Sequence, residues 1–163
     1  MVKKEYYLEI PAEYKSFIDK SVLLARKVYK DNLVSILLGG STAKGNCIDG
    51  WSDIDLYIIT NKLDLDANKE FYEKTKKYKI HIGTTFYTIS MINNLEIDSK
   101  TFATFYEYYN YDVNKIIYGN FKVPNITYGQ LLSAESDINN LIQAVERELY
   151  NYMIDKNNFK TLI

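Results

Sequence analysis

Two aspartates separated by one residue are the part of the sequence best suited to chemistry. Asp53 and Asp55 lie in an apolar segment, in which Ile54 and Leu56 alternate with them. Side chains two apart on a strand point to the same face, and their Cα atoms lie about 6.5 Å apart. Two like charges held in this way repel each other unless a cation lies between them. Carboxylate oxygens are ligands that Mg²⁺ prefers, so the spacing predicts a magnesium site.

A glycine turn precedes this acid pair. Gly39 and Gly40 end an apolar run and are followed by Ser41. Glycine permits positive φ and close backbone approach, and successive N–H groups in such a turn bind anions. Ser41 adds a hydroxyl donor, and a helix beginning at Thr42 would place its positive end at the same point. A phosphate-binding turn beside paired metal carboxylates predicts a site for a metal-bound nucleoside triphosphate.

The combined segment resembles the signature of the polymerase-beta-like nucleotidyltransferase superfamily, in which Gly-Ser precedes Asp-hydrophobic-Asp-hydrophobic. The motif spans residues 38–59, and the predicted elements fit the core of that family over residues 12–90. The matching stretches are Gly40-Ser41-Thr42-Ala43-Lys44-Gly45 and Ser52-Asp53-Ile54-Asp55-Leu56.

The resemblance implies a function for these residues. Gly39, Gly40, Ser41 and Lys44 would bind the nucleotide, although an exposed loop lysine is an equally good interpretation of Lys44. The catalytic residues would be Asp53 and Asp55, which would also hold two Mg²⁺ ions. The reaction would move a nucleoside monophosphate from a triphosphate, with ATP the expected donor, to an unknown hydroxyl or amine acceptor. That acceptor would be a small molecule or a protein side chain, and pyrophosphate would leave.

The chain departs from the family in one respect, because the family usually carries a third carboxylate on a later strand. The segment 79–88 that should supply it contains no Asp or Glu. The third acid would then be Glu96, Asp98 or Glu107, or His81 would serve as the base rather than being an exposed strand residue. The alternative function is a catalytically degenerate nucleotide-binding or partner-binding protein on the same fold, such as an antitoxin-like component.

Two further residues, Cys47 and Trp51, lie near the motif. Cys47 has no histidine and acid nearby in sequence, so it is not predicted to be a nucleophile. Trp51 precedes the acid pair and would either stack on a base or pack against the protein.

Composition excludes several classes of protein. The 163 residues carry 20 Lys+Arg against 21 Asp+Glu, a net charge of −1. Proteins that bind nucleic acid, and polybasic proteins that bind membranes, usually carry a clear excess of basic residues. This chain carries none, so neither nucleic acid nor a membrane is an expected partner. A single cysteine excludes an internal disulfide framework. The polar start of the chain and the short apolar runs predict a cytoplasmic protein.

Hydrophobic periodicity predicts an α+β fold, in which helices flank a small mixed β-sheet and a C-terminal helical arm follows. Predicted strands cover residues 33–38, 53–59, 79–89 and 113–118. Helices are predicted over residues 12–30 and 64–78, after the caps Ser90 and Ser99, and over 131–152 after a capping box at Thr127 and Gln130. We predict a catalytic domain over residues 1–120 and a helical extension over 121–163. The apolar stripe of that extension would dock either on its own domain or on a second copy of the chain, and the second arrangement would make the protein a homodimer.

Overall fold

The computed structural model describes residues 10–48, 50–111, 113–136, 142 and 145–150. The helices are α1 (Ala12–Tyr29), α2 (Gly40–Ala43), α3 (Leu65–Thr75), α4 (Ile89–Asn93), α5 (Ser99–Asn110) and α6 (Tyr128–Ser136). The strands are β1 (Leu33–Gly39), β2 (Ile54–Thr60), β3 (Ile82–Thr88) and β4 (Lys115–Gly119). A short 3₁₀ helix, Lys30–Asn32, joins α1 to β1, and residues 145–150 are helical.

The four strands form one mixed sheet in the order β3-β2-β1-β4. Strand β1 is antiparallel to both β2 and β4, whereas β2 and β3 are parallel. This architecture confirms the predicted α+β fold class. The register places Asp55 opposite Gly39 on one side and opposite Gly83 on the other. The acid pair therefore lies between two strands that carry glycine at the matching position.

Both faces of the sheet are covered, which holds the strands rigidly. Alternate residues of a strand point to opposite faces, so Ile36 and Leu38 join one hydrophobic cluster and Leu37 joins the other. Helices α1 and α3 cover the first face. Helix α5 covers the second face, where Phe105 packs with Leu37 and Tyr57.

Two helix caps differ from the prediction. Helix α4 is capped by the hydroxyl of Thr88 rather than by Ser90, and α5 by the carboxylate of Asp98 rather than by Ser99. Asp98 Oδ1 accepts from the Thr101 N–H at 2.7 Å, and an ionised acceptor makes the stronger cap. The third strand begins at Ile82 rather than at residue 79.

The capping box before α6 is confirmed. The Thr127 N–H donates to Gln130 Oε1 at 2.9 Å, and the Gln130 N–H donates to Thr127 Oγ1 at 3.2 Å. Of the helix predicted over 131–152, residues 137–141, 143–144 and 151–152 lie outside the described residues. The domain boundary at residue 120 stays a prediction. Within the described ranges, no helix has the length and apolar character needed to cross a bilayer.

Candidate active site

The glycine turn, which we define as residues 39–45, follows β1 directly. Gly40 has a φ of +69°, and a Cβ at this position would overlap with Asp55 Oδ2. Only glycine combines this left-handed conformation with such close approach. The sequence predicted a helix from Thr42, but the helical turn α2 begins two residues earlier and ends at Ala43. Gly45, at a φ of +74°, lies just beyond that end.

Hydrogen bonds tie the glycine turn to the acid pair. Thr42 Oγ1 donates to the backbone oxygen of Asp53 at 2.7 Å. The carbonyl of Ser41 accepts from the Asn46 N–H at 3.0 Å. The Thr42 hydroxyl therefore has a structural partner in the residue just before β2, which fixes the turn relative to the carboxylates.

The two aspartates occupy different environments. The side chain of Asp55 is 15% exposed and lies beside the bare backbone of Gly40 and Gly83, whereas that of Asp53 is 47% exposed. A Cβ on Gly83 would lie 3.1 Å from Asp55 Oδ1. The absence of both Cβ atoms leaves room around the carboxylate oxygens. Mg²⁺ commonly takes one or two carboxylates and completes its coordination with phosphate and water, so this donor set fits Mg²⁺.

Two basic side chains contact the acid pair. Lys100 Nζ lies 2.9 Å from Asp55 Oδ1, and His81 Nδ1 lies 3.8 Å from Asp53 Oδ2. The His81 side chain is 72% exposed. This value agrees with the interpretation of His81 as an exposed residue, and it also leaves the imidazole ring accessible at the site.

Lys44 has a protein partner. Its Nζ lies 2.8 Å from Glu107 Oε1, and Asn114 Nδ2 donates to Glu107 Oε2 at 3.1 Å. A lysine held in this way links the glycine turn to α5. Its binding of nucleotide stays a prediction.

A cleft opens on the β3 side of the acid pair, opposite the glycine turn. Its lining includes Asp53, Asp55, Gly83, Lys100, Arg147 and Glu148. Lys100, Arg147 and Glu148 were not recognised as site residues from the sequence. They come from α5 and from helix 145–150, far along the chain, and no local pattern marked them.

Helix 145–150 is anchored beside the cleft at two points. Arg147 forms an ion pair with Asp98, the buried cap of α5. Tyr150 accepts a hydrogen bond from Asn68 of α3, and its ring lies 6.2 Å from that of Phe86. These anchors hold Glu148 at the cleft.

The candidates for a third carboxylate lie elsewhere. Asp98 caps α5, and Glu107 is paired with Lys44. Glu96 accepts from Asn94 at 3.2 Å and lines a neighbouring pocket. In β3, Gly83 and Thr85 line the cleft where the family would supply an acid. Among the described residues that line the cleft, Glu148 brings a carboxylate in addition to Asp53 and Asp55.

Among the described residues, no group of three or more His, Cys, Asp and Glu side chains is arranged to hold a metal ion. Trp51 is 88% exposed, which excludes the packing interpretation and leaves its indole open to solvent. Cys47 is a free, half-buried thiol.

Buried phenols hold α5 against the sheet. Tyr57 of β2 hydrogen-bonds to Thr104 at 2.8 Å, and Tyr87 of β3 hydrogen-bonds to Thr101 at 3.1 Å. Burial raises the pKa of Tyr57 beyond the range of ordinary tyrosines and raises that of Tyr87 to about 12. Both groups are therefore neutral supports for the helix that carries Lys100.

A solved structure shares this fold, and others are similar to the chain more distantly. Spectinomycin adenyltransferase AAD(9) from Enterococcus faecialis, crystallised with ATP and spectinomycin, matches at 20% identity and a TM-score of 0.58, over 88% of this chain and 71% of that one. The structure of the tri-AMPylated HEPN toxin of Shewanella oneidensis in complex with MNT antitoxin matches at 13% identity and a TM-score of 0.41. This match covers 88% of this chain and 91% of that chain. The crystal structure of a putative nucleotidyltransferase from Sulfolobus solfataricus matches at 17% identity and a TM-score of 0.31. This match covers 52% of this chain and 80% of that chain.

No curated protein sequence matches the chain significantly. The family model of the nucleotidyltransferase domain matches residues 23–113, which include β1, the glycine turn and the acid pair. The match covers more than half of the 163 residues. The chain therefore belongs to the nucleotidyltransferase domain family and is a nucleotidyltransferase, as its motif predicted.

Proposed function

We propose that this enzyme transfers a nucleoside monophosphate from a nucleoside triphosphate, ATP being the expected donor, to a hydroxyl or amine acceptor. Gly39, Gly40, Ser41 and Lys44 bind the triphosphate, and Asp53 and Asp55 are the catalytic residues. When bound by that pair, Mg²⁺ neutralises charge on the phosphates and the leaving group. The observation that carries the proposal is the contact of Gly40 with Asp55, which brings a phosphate-binding turn against the carboxylates.

The cleft is the acceptor side in this proposal. The triphosphate and the acceptor must meet at the acid pair from opposite directions, since attack and departure at phosphorus are in line. The glycine turn occupies one side of the pair, and the cleft opens on the other. The acceptor oxygen or nitrogen attacks the α-phosphorus, the bond from that phosphorus to its bridging oxygen breaks, and pyrophosphate leaves. Spectinomycin is the first acceptor to test, because the fold-matched adenyltransferase was crystallised with it.

Glu148 takes the acceptor proton in this scheme. Segment 79–88 offers no carboxylate, whereas Glu148 lines the cleft and is held beside Arg147, whose Nε lies 3.8 Å from Glu148 Oε1. Because no three-acid group is arranged for a metal among the described residues, we assign Glu148 to the acceptor rather than to Mg²⁺. A positioned carboxylate of this kind is a suitable general base.

Thermal unfolding with each ribonucleoside triphosphate, with and without Mg²⁺, tests the donor side. A ligand at 100 times its dissociation constant adds about 2.7 kcal/mol to the free energy of unfolding. We expect a Mg²⁺-dependent rise in melting temperature that Asp53→Asn abolishes. The absence of any shift with all of the nucleotides would contradict the proposal.

We also propose that the enzyme is a homodimer through its C-terminal helix. Ile142, Val145 and Leu149 are exposed apolar residues that recur at helical spacing. A second copy of the chain would cover them. Light scattering at micromolar concentration should give a dimeric mass, and Leu149→Lys should give the monomer. A monomeric mass for the unaltered chain would contradict the dimer.

A further inference from the structure

Lys100 occupies an unusual place for an exposed lysine. It is the second residue of α5, and its Nζ lies 2.9 Å from Asp55 Oδ1. The Lys100 side chain is 58% exposed, whereas Asp55 is the more buried member of the acid pair. The exposed ammonium of Lys100 therefore contacts the more buried carboxylate of Asp55, at the position where the proposed function needs a metal ion.

The surroundings of Asp55 explain why a cation is present. Its carboxylate is packed against Gly40 and Gly83 and lies beside Asp53, a second negative charge. A half-buried carboxylate without a partner is costly, and two neighbouring carboxylates repel each other. The ammonium of Lys100 offsets both effects in the metal-free chain. It cannot do so once Mg²⁺ binds, because two cations on the same oxygen repel each other.

We propose that Lys100 exchanges partners during substrate binding. It holds Asp55 in the metal-free chain and turns to the triphosphate when the metal–nucleotide complex takes Asp55. The inference rests on the proposed function of the acid pair. The four-carbon stem and the exposure of Lys100 permit the movement, and the phosphates are the anions that arrive with the metal.

This exchange couples the metal to the nucleotide. A metal ion that arrives alone must displace Lys100 and leaves the ammonium without a partner. A metal ion that arrives with a triphosphate brings the new partner with it. Binding of metal and nucleotide is therefore mutually reinforcing, and the reinforcement acts equally in both directions.

The first test measures metal affinity without nucleotide. Mn²⁺ is the probe, and electron paramagnetic resonance reports its free concentration. Lys100→Met keeps the length of the side chain and removes the charge. We expect it to tighten Mn²⁺ binding roughly tenfold, the scale of one neighbouring charge at a partly exposed site. Lys100→Arg keeps the charge and should bind Mn²⁺ as the unaltered chain does.

The matched control is Lys74→Met, which removes an exposed lysine that pairs with Glu70 on α3. It should leave Mn²⁺ affinity unchanged, because its ion pair is separate from the acid pair. An Mn²⁺ affinity in Lys100→Met that equals or falls below that of the unaltered chain overturns the inference. Thermal unfolding of each variant separates this result from a failure to fold.

The second test measures nucleotide affinity in the presence of Mn²⁺, by calorimetry with the uncleavable α,β-methylene analogue of ATP. We expect Lys100→Met to weaken this binding roughly tenfold, because the triphosphate loses one charged partner. Unchanged nucleotide affinity overturns the exchange. If the unaltered chain binds no analogue with Mn²⁺, the proposed function itself fails. If it binds normally and only Lys100→Met behaves unexpectedly, the proposed function stands and this inference alone fails.

Discussion

The two sides of the acid pair are built from different parts of the chain. On one side, the glycine turn lies between β1 and β2 and is bonded to Asp53 through Thr42. On the other side, the cleft is lined by β3, by Lys100 of α5 and by helix 145–150. An ion pair between Arg147 and Asp98 joins helix 145–150 to the start of α5. The first side is one continuous segment, whereas tertiary packing assembles the second.

The difference separates the residues that match the family model from residues that lie beyond the match. The glycine turn and acid pair lie within residues 23–113, which match the nucleotidyltransferase domain. Glu148 and Arg147 lie beyond that match. Alterations of the glycine turn should therefore disturb nucleotide and metal binding, whereas alteration of Glu148 in helix 145–150 should disturb acceptor chemistry alone.

The largest effect is expected at the acid pair, which both sides share. Asp55→Asn should reduce transfer by roughly 10³-fold or more, because a neutral amide neither binds nor neutralises the metal-bound phosphates as a carboxylate does. Release of pyrophosphate from ATP in the presence of Mg²⁺ and spectinomycin, the first acceptor to test, measures the loss. Asp66→Asn on the exposed start of α3 is the control and should retain activity. Full activity in Asp55→Asn would refute the catalytic assignment.

A methyl group on the glycine-turn side should be the next most damaging change. Gly40→Ala places a Cβ against Asp55 Oδ2 at a φ of +69°, so we expect a loss of about 2 kcal/mol in stability and weaker nucleotide binding. Chemical denaturation and nucleotide titration measure the two effects. Gly129→Ala is the matched control, because no atom lies within 4 Å of its added Cβ. Unchanged nucleotide affinity in Gly40→Ala would contradict the close contact.

The contrast between the sides also explains what the sequence could predict. Strands β1 and β2 were predicted because their apolar residues are continuous or alternate locally, and Gly40 and Asp55 were found from spacing. The role of Lys100 was not found, because it lies 45 positions from Asp55 and forms its contact only through packing of α5. Asp98, which caps α5 in place of Ser99, also forms an ion pair with Arg147, and no local pattern contains that contact.

Loss of the Glu148 carboxylate should affect turnover without affecting the binding of nucleotide or metal. Glu148→Gln should slow transfer by roughly 10²-fold, the usual contribution of a general base, while nucleotide and Mg²⁺ affinities stay unchanged. Glu148→Asp should recover part of the rate. Rapid-mixing kinetics at saturating ATP and spectinomycin, the first acceptor to test, measure the step.

Glu146→Gln is the matched control for Glu148→Gln. Glu146 lies on the same helix but lines the neighbouring pocket rather than the cleft. The Glu146→Gln variant should catalyse nucleotidyl transfer at the rate of the unaltered enzyme. Equal losses in Glu146→Gln and Glu148→Gln would indicate that the helix as a whole, not the Glu148 carboxylate, supports the reaction.

The smallest expected effect concerns the support of α5. Tyr87→Phe removes the phenol that bonds to Thr101 and accepts from the Asp98 N–H at 3.2 Å, so stability at neutral pH should fall by about 1 kcal/mol. Burial and the nearby Asp98 carboxylate raise the pKa of Tyr87 from 10.0 to about 12. In the unaltered chain, the unfolded phenol ionises first, so its contribution to stability is full below pH 10 and is lost as pH rises towards 12. Tyr87→Phe has no such loss. The difference in unfolding free energy between the two chains should therefore shrink across that interval, and a difference that stays constant with pH would refute the raised pKa.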